Sequence, residues 1–183
     1  MRYTKHVKKL LARMRGFTSI ELLVIIAIVA ILAIIVLAGV YEARTNTDYS
    51  RTVEDMQEIS AAMELYYEAN GSYPPDVNRG LPTGAEQYIA GGVWPTPAYP
   101  NAVFDWDNWI PSQLSYPPYT QDVQISVRFC PIGGATSTCT IPNEPWAANF
   151  DAQSALYYCI QGTCRSHSSE PITYPGYCVN CNQ

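Results

Sequence analysis

Hydrophobic residues near the start of the chain form one long uninterrupted block. Nineteen consecutive residues, Leu22–Val40, carry neither a charge nor a polar side chain. As a helix, the block covers roughly 28 Å at ~1.5 Å per residue, close to the ~30 Å hydrocarbon thickness of a bilayer. It is longer than the apolar part of an ordinary secretory signal, and no small-residue cleavage site follows it. The pattern predicts a retained membrane-spanning helix.

The hydrophobic pattern changes after this block but remains helical. Apolar side chains recur at three- and four-residue spacing, which is typical of an amphipathic helix with one buried face. No proline occurs before Pro74, so one helix can continue from about Phe17 to Ala69. Asn70-Gly71 then supplies a left-handed C-cap that ends it. The apolar stripe consists of Val53, Met56, Ile59, Met63 and Tyr66.

The remaining residues, 71–183, are rich in proline, glycine and aromatic side chains. Apolar and polar residues alternate over residues 123–129, which predicts a half-buried strand, and residues 155–160 form a second candidate. We interpret residues 74–120 as an irregular loop with a short helix near Thr83–Ile89. The predicted fold is α+β: a long N-terminal helix, transmembrane then amphipathic, packed on a small, disulfide-bonded, loop-rich antiparallel β head.

Charge is distributed very unevenly along the chain. Residues 1–16 hold six basic residues and no acid, whereas the rest of the chain holds five arginines and sixteen acids. Because basic flanks stay on the cytoplasmic side, the acidic part is expected to be exported. An acidic exterior argues against nucleic-acid binding, which requires basic patches on phosphate.

Six cysteines lie in the last third of the chain, and an even count in an exported domain predicts disulfides. If Gln161-Gly162 forms a two-residue hairpin loop, the flanking cysteines face each other with Cα atoms about 4.5 Å apart. A disulfide accepts roughly 4.4–6.8 Å, so this pair is expected to be bridged. The other four allow three pairings, of which we adopt the local one. The predicted bridges are Cys159–Cys164, Cys130–Cys139 and Cys178–Cys181.

The junction between the basic segment and the apolar block carries a recognisable motif. It reads Gly16-Phe17-Thr18-Ser19-Ile20-Glu21-Leu22-Leu23, with one carboxylate at the edge of the apolar run. An ionisable group beside hydrocarbon is costly and is a functional candidate by default. The motif resembles the N-terminal signal of type IV pilins and of type II secretion pseudopilins. Residues 66–75 are also similar, more weakly, to the helix end and turn of that family.

The resemblance implies a processing pathway. A membrane prepilin peptidase would cut after Gly16 and N-methylate Phe17. The chain would then divide into a leader (1–16), a transmembrane or filament-core helix (17–40), an amphipathic continuation (41–70) and a globular head (71–183).

The resemblance also implies assembly. Glu21 would pair with the Phe17 ammonium of an adjacent subunit and set the register of a filament. The partners would be further subunits, the peptidase, an inner-membrane platform protein, an assembly ATPase and, before assembly, membrane lipid. The chain would be a single-pass inner-membrane protein with an extracytoplasmic head, later part of a surface pilus or a periplasmic pseudopilus.

Several alternatives remain open. Within the family, the subunit could build a type IV pilus or the pseudopilus of a type II secretion system. Outside it, the chain could be a membrane-anchored binding domain that never polymerises. Catalysis has little support, since His167 is the one histidine after the leader and no nucleophile or phosphate-loop motif is present. No cofactor is expected. A weaker alternative is a structural calcium site formed by Asp105, Asp107, Asn108 and Asp122.

Overall fold

The computed structural model describes residues 17–114, 120–130, 139–168 and 174–181, without the side chains of 38–46. Internal contacts divide the chain into two units, Met1–Arg44 and Thr45–Gln183. The long helix α1 extends over Ser19–Asn70, as the proline-free pattern predicts. It ends where Gly71 takes a φ of 74° and donates its N–H to the Tyr67 carbonyl at 2.7 Å, the expected left-handed cap.

In the second unit, the predicted apolar stripe of α1 is the buried one. Met56, Ile59 and Met63 are fully buried, and Val53 and Tyr66 are half-buried. Helix residues and strand residues belong to one core cluster. Its members from α1 are Met56, Ile59, Ala62 and Met63, and those from the strands include Phe104, Trp106, Ile125, Val127 and Leu156.

Four strands form the sheet of the second unit: β1 (Val103–Trp109), β2 (Asp122–Arg128), β3 (Ala155–Gln161) and β4 (Gly176–Cys178). Their spatial order is β1-β2-β3-β4. The first two pairings are antiparallel and β3 pairs with β4 in parallel. The sheet is therefore mixed, and the prediction of an antiparallel head is wrong for its last strand.

Short 3₁₀ helices occupy Glu86–Tyr88, Ala90–Gly92, Pro111–Gln113 and Pro145–Ala147. The first of them lies in the region where a short helix is predicted. The prediction of an otherwise irregular loop over 74–120 is wrong, because β1 lies within it. Its apolar side chains alternate with carboxylates, and Trp106 donates its indole N–H to the Pro74 carbonyl at 3.0 Å.

Both faces of β2 are buried, which corrects the predicted half-buried strand. Its apolar side chains face the core, while Gln124, Ser126 and Arg128 are covered on the other face. The register places Ser126 opposite Asp105 and Gln124 opposite Asp107. The polar side chains of β2 are buried because β1 supplies them with hydrogen-bonding partners.

The hairpin predicted after β3 does not form, although Cys159 and Cys164 are bridged with Cα atoms 5.5 Å apart. Beyond Gly162 the chain turns towards the side chains of β2 instead of pairing with β3. Thr163 donates its backbone N–H to Asp122 Oδ1 at 2.7 Å, and the backbone of Arg165 donates to Gln124 Oε1 at 3.1 Å. Side-chain acceptors on β2 therefore replace a hairpin ladder.

Backbone groups on the outward edge of β1, and on β3 beyond the end of β4, have hydrogen-bonding partners outside the strands. On β1, Asn108 N donates to Asp76 Oδ1 at 3.1 Å, and the Trp106 carbonyl accepts from Val77 N at 3.2 Å. Beyond the short β4, the amide of Asn180 donates to the Cys159 carbonyl and accepts from its N–H, both at 2.8 Å. A side-chain amide thus extends the β4 ladder.

The shared core predicts which helix substitutions unfold the second unit. Met63→Ala should lower the free energy of unfolding by about 2–5 kcal/mol, because it removes a fully buried side chain. Leu65→Ala, on the same helix but 52% exposed, should change it by less than about 0.5 kcal/mol. Denaturant titration of the full chain in detergent, followed by near-ultraviolet circular dichroism, measures both. Equal losses would contradict the assigned core face.

Candidate functional sites

The start of α1 is closed by a reciprocal pair of hydrogen bonds. Glu21 Oε2 accepts from the backbone N–H of Thr18 at 2.8 Å and from its hydroxyl at 2.8 Å, and the Thr18 hydroxyl accepts from Glu21 N at 3.3 Å. This is a capping box, which satisfies otherwise unpaired donors at a helix N-terminus. Glu21 therefore has a local structural role that we did not derive from the sequence. The Thr-x-x-Glu spacing is the signal that could have revealed it.

The apolar block of α1 is exposed all round in the described chain. Each large apolar side chain from Ile20 to Leu37 is 46–71% exposed, and Phe17 is 78% exposed. By length and composition, Ser19–Leu37 could cross a membrane, with a mean hydropathy of 3.4. It could therefore be a membrane anchor or a signal sequence. Gly16, the residue before the predicted cleavage position, lies outside the described residues.

The cysteines form the three expected bridges. Cys130 is joined to Cys139, Cys159 to Cys164 and Cys178 to Cys181. Their sulfur atoms are bonded to one another, so they are not thiolates that could bind zinc. Among the described residues, no group of three or more histidine, cysteine or acidic side chains is placed to hold a metal ion.

The structure does not bring the four calcium candidates together. Asp105 and Asp107 lie on the polar face of β1 and contact Arg128. Asn108 lies on the opposite face and donates its side-chain amide to the Pro74 carbonyl at 2.7 Å. Asp122 accepts from the backbone and hydroxyl of Thr163. Most of these oxygens accept hydrogen bonds from neighbouring groups, and the four side chains do not converge on one point, so this calcium hypothesis has no geometric basis.

A charged network that we did not derive from the sequence lies across β1 and β2. Arg128 Nε donates to Asp105 Oδ2 at 3.1 Å, and its Nη1 donates to the carbonyls of Gln153 at 2.9 Å and Ser166 at 3.3 Å. Asp105 Oδ1 accepts from the backbone of Arg79 at 2.6 Å. One guanidinium thus connects the two strands with two loops.

Asp107 is the least well compensated charge of this network. Its Oδ2 accepts from Gln124 Nε2 and Ser126 Oγ, both at 2.9 Å, while its Oδ1 lies 4.0 Å from Arg128 Nη2. Burial, and then the Asp105 carboxylate, raise the pKa of Asp107 to about 7, against the opposing effects of Arg128 and the two hydrogen bonds. Burial also lowers the pKa of nearby His167.

Comparison of the chain with protein-family models, with curated proteins and with solved structures finds no match. The functional interpretation therefore depends on the residues and contacts of this chain. Two features carry it: the junction from Phe17 to Glu21 with the exposed apolar helix, and the charged network on the polar face of the sheet.

The raised pKa of Asp107 predicts a pH-dependent stability. Between about pH 4 and pH 7 the folded chain holds a proton that the unfolded chain has released, so this contribution to stability falls as the pH rises. The slope is at most about 1.4 kcal/mol per pH unit. His167 acts in the opposite direction, so the informative quantity is the difference between wild type and Asp107→Asn, which lacks the titrating group.

Urea titrations at pH 5, 6, 7 and 8 measure this difference. The free energy of unfolding of wild type should fall, relative to Asp107→Asn, as the pH rises. Glu58→Gln, an exposed acid on α1, is the control and should follow wild type. Parallel curves for wild type and Asp107→Asn would show that Asp107 titrates in its ordinary range.

Proposed function

We propose that this chain is a structural subunit of a type IV pilus-like filament, cut by a prepilin peptidase after Gly16 and polymerised through its N-terminal helix. The observation that carries the proposal is that an exposed apolar helix directly follows the Gly16–Glu21 motif in the sequence. Ser19–Leu37 has 0% of its apolar window buried. A helix that is apolar on every side requires lipid or other helices around it.

The charge of the leader explains why cleavage after Gly16 would allow this helix to move from the lipid bilayer into a filament. Before cleavage, the six basic residues of 1–16 hold the junction at the cytoplasmic face. Cleavage removes them and creates an ammonium at Phe17. The subunit can then leave the bilayer without carrying a block of six positive charges through hydrocarbon.

Glu21 would have two functions in this scheme. Its capping bonds from Thr18 both end on Oε2, and Oε1 is left to accept the Phe17 ammonium of a neighbouring subunit. A carboxylate that enters an apolar bundle is costly until it is paired, and breaking a buried pair costs about 3–5 kcal/mol. The pair would therefore favour one axial register over others. In this scheme the first half of α1 would form the filament core and its second half would pack on the head.

The cellular location of the chain distinguishes a pilus subunit from the two alternatives. A pilus subunit is released from the cell surface by shearing, whereas a subunit of a periplasmic type II secretion pseudopilus is not. A membrane-anchored binding domain that never polymerises stays with the membrane fraction and retains its basic leader. Surface shearing followed by immunoblotting distinguishes the first two.

Processing predicts a simple chemical signature. All three lysines lie within residues 1–16, so cleavage after Gly16 leaves the N-terminal amine of Phe17 as the only alkyl amine of the chain. Mass spectrometry should find a mature chain that begins with N-methylated Phe17. An amine-reactive dye should label that chain at its first residue alone.

The matched control is Gly16→Leu, whose bulk should block the cleavage position, so this variant should keep its leader and label at lysine. Wild-type chain that still begins at Met1, in cells with a working prepilin peptidase, would refute the proposal.

Two conservative variants separate the two functions of Glu21. Glu21→Gln keeps a capping-box side chain but removes the negative charge. Its sheared filament should fall by about a hundredfold or more, the equivalent of losing a buried ion pair. Thr18→Ala keeps the charge but removes the N-cap, at a cost of about 1 kcal/mol to the helix, so filament should fall about fivefold. Quantitative immunoblotting of sheared material measures both.

Cleavage should be unaffected in both variants, which the mass of the mature chain verifies. If Glu21→Gln assembles like wild type while Thr18→Ala does not, Glu21 acts as a cap alone. That result would remove the ion pair from the proposal.

A further inference from the structure

A cavity of about 410 Å³ lies beside the charged network, on the polar face of the sheet. This volume falls within the roughly 300–1,000 Å³ typical of small-molecule sites, but such sites are usually lined by apolar side chains. Here the lining is mainly polar. It includes Asp76, Arg79, Asp105, Asp107, Trp109 and Arg128. A ligand that fits this cavity must therefore exchange its own hydrogen bonds to water for bonds to the protein.

One acceptor and one donor of the lining are free to make those bonds. Asp107 is 4% exposed and Arg128 is 7% exposed, yet Asp107 Oδ1 and Arg128 Nη2 make no hydrogen bond to each other, since they are 4.0 Å apart. Their other polar atoms are already paired with Asp105, Gln124, Ser126 and backbone carbonyls. Both residues line the cavity, and neither atom is among the fully buried unpaired atoms of the described residues.

An adjacent donor and acceptor match a hydroxyl group, which both accepts and donates a hydrogen bond. A simple ion matches them poorly. An anion would face the carboxylates of Asp105 and Asp107, and a cation would face the guanidinium of Arg128. Trp109, which is 7% exposed, also lines the cavity and brings an apolar aromatic ring to it. A ring that carries several hydroxyls on an apolar frame satisfies all of these features.

We propose that this cavity binds a saccharide, with one ligand hydroxyl donating to Asp107 Oδ1 and accepting from Arg128 Nη2. The inference does not depend on filament assembly, because the site lies within the second unit and uses none of residues 17–44. It gives the charged network a function besides connecting strands and loops: the network holds two buried polar atoms at a fixed spacing.

Saturation-transfer-difference NMR tests the proposal on the full chain in a phosphocholine detergent, which has no sugar headgroup. The probes are glucose, galactose, mannose and N-acetylglucosamine at pH 8, where Asp107 is mostly ionised. At least one probe should give a signal at its ring protons. Removing the hydroxyl that is held by Asp107 and Arg128 should weaken the binding of that probe strongly, because it leaves buried polar groups unpaired. Singly deoxygenated analogues supply this comparison.

Asp107→Asn is the matched variant of the protein. It keeps an oxygen for Gln124 and Ser126 but presents an NH₂ group to the cavity, so the ligand hydroxyl loses its acceptor. Affinity should fall about tenfold or more. If this variant does not fold, Asp76→Asn replaces it, since Asp76 is an exposed member of the lining and should lower affinity less. Glu58→Gln, remote on α1, should bind as wild type does.

Each result of the NMR experiment either supports or overturns the saccharide site. A ring-proton signal that weakens in Asp107→Asn and in one deoxy analogue supports the site. No signal with any of the four sugars overturns the proposal. A signal that is unchanged in Asp107→Asn, or in Asp76→Asn where that variant replaces it, also overturns the proposal, because the sugar then binds elsewhere. Filament assembly can succeed or fail independently of each outcome.

Discussion

Arg128 places a positive charge inside the second unit, and much of the surrounding structure is arranged to satisfy it. Its Nε binds Asp105 on β1, and its Nη1 binds the carbonyls of Gln153 and Ser166 in two separate loops. Removing one partner from a buried charge is strongly destabilising, by about 3–5 kcal/mol. The segments that converge on this guanidinium therefore hold one another in place. The polar face of the sheet is consequently a fixed arrangement of charges beside a small apolar cluster of Trp109 and Leu114.

Sequence patterns predict the elements whose determinants are local. The predicted buried stripe of α1 and its predicted end at Asn70-Gly71 are confirmed, because residue spacing along one helix determines which side chains are buried and where the helix is capped. The sequence of β1 also alternates, with Phe104 and Trp106 on one side and Asp105 and Asp107 on the other. Two acids among prolines resemble a solvated loop until their partner is known. That partner, Arg128, lies about twenty residues further along, and only the strand register reveals it.

Among the candidate sites too, those formed by residues close in the sequence were predictable and those formed by distant residues were not. The junction from Gly16 to Glu21 can be recognised as a sequence motif because its residues are close together in the chain. The Thr-x-x-Glu capping box has an equally short spacing and could have been predicted in the same way. The local disulfide pairing follows from proximity along the chain, even though the hairpin used to argue for Cys159–Cys164 is absent. The cavity beside Asp107 was not predictable, because residues from several separate segments line it. Its donor and acceptor are left over after the other polar atoms of Asp107 and Arg128 pair with Asp105, Gln124, Ser126 and backbone carbonyls.

The outward edges of the sheet have a consequence for crowding. An exposed strand edge is a template for pairing with another chain and a common route to aggregation. Here Asp76 and Val77 occupy the outer backbone groups of β1, and Asn180 occupies those of β3 beyond the short β4. Another copy of this domain therefore meets fewer unpaired backbone groups at these two places than a bare strand would present. Four hydrogen bonds from three residues give this protection, without an additional strand on either side.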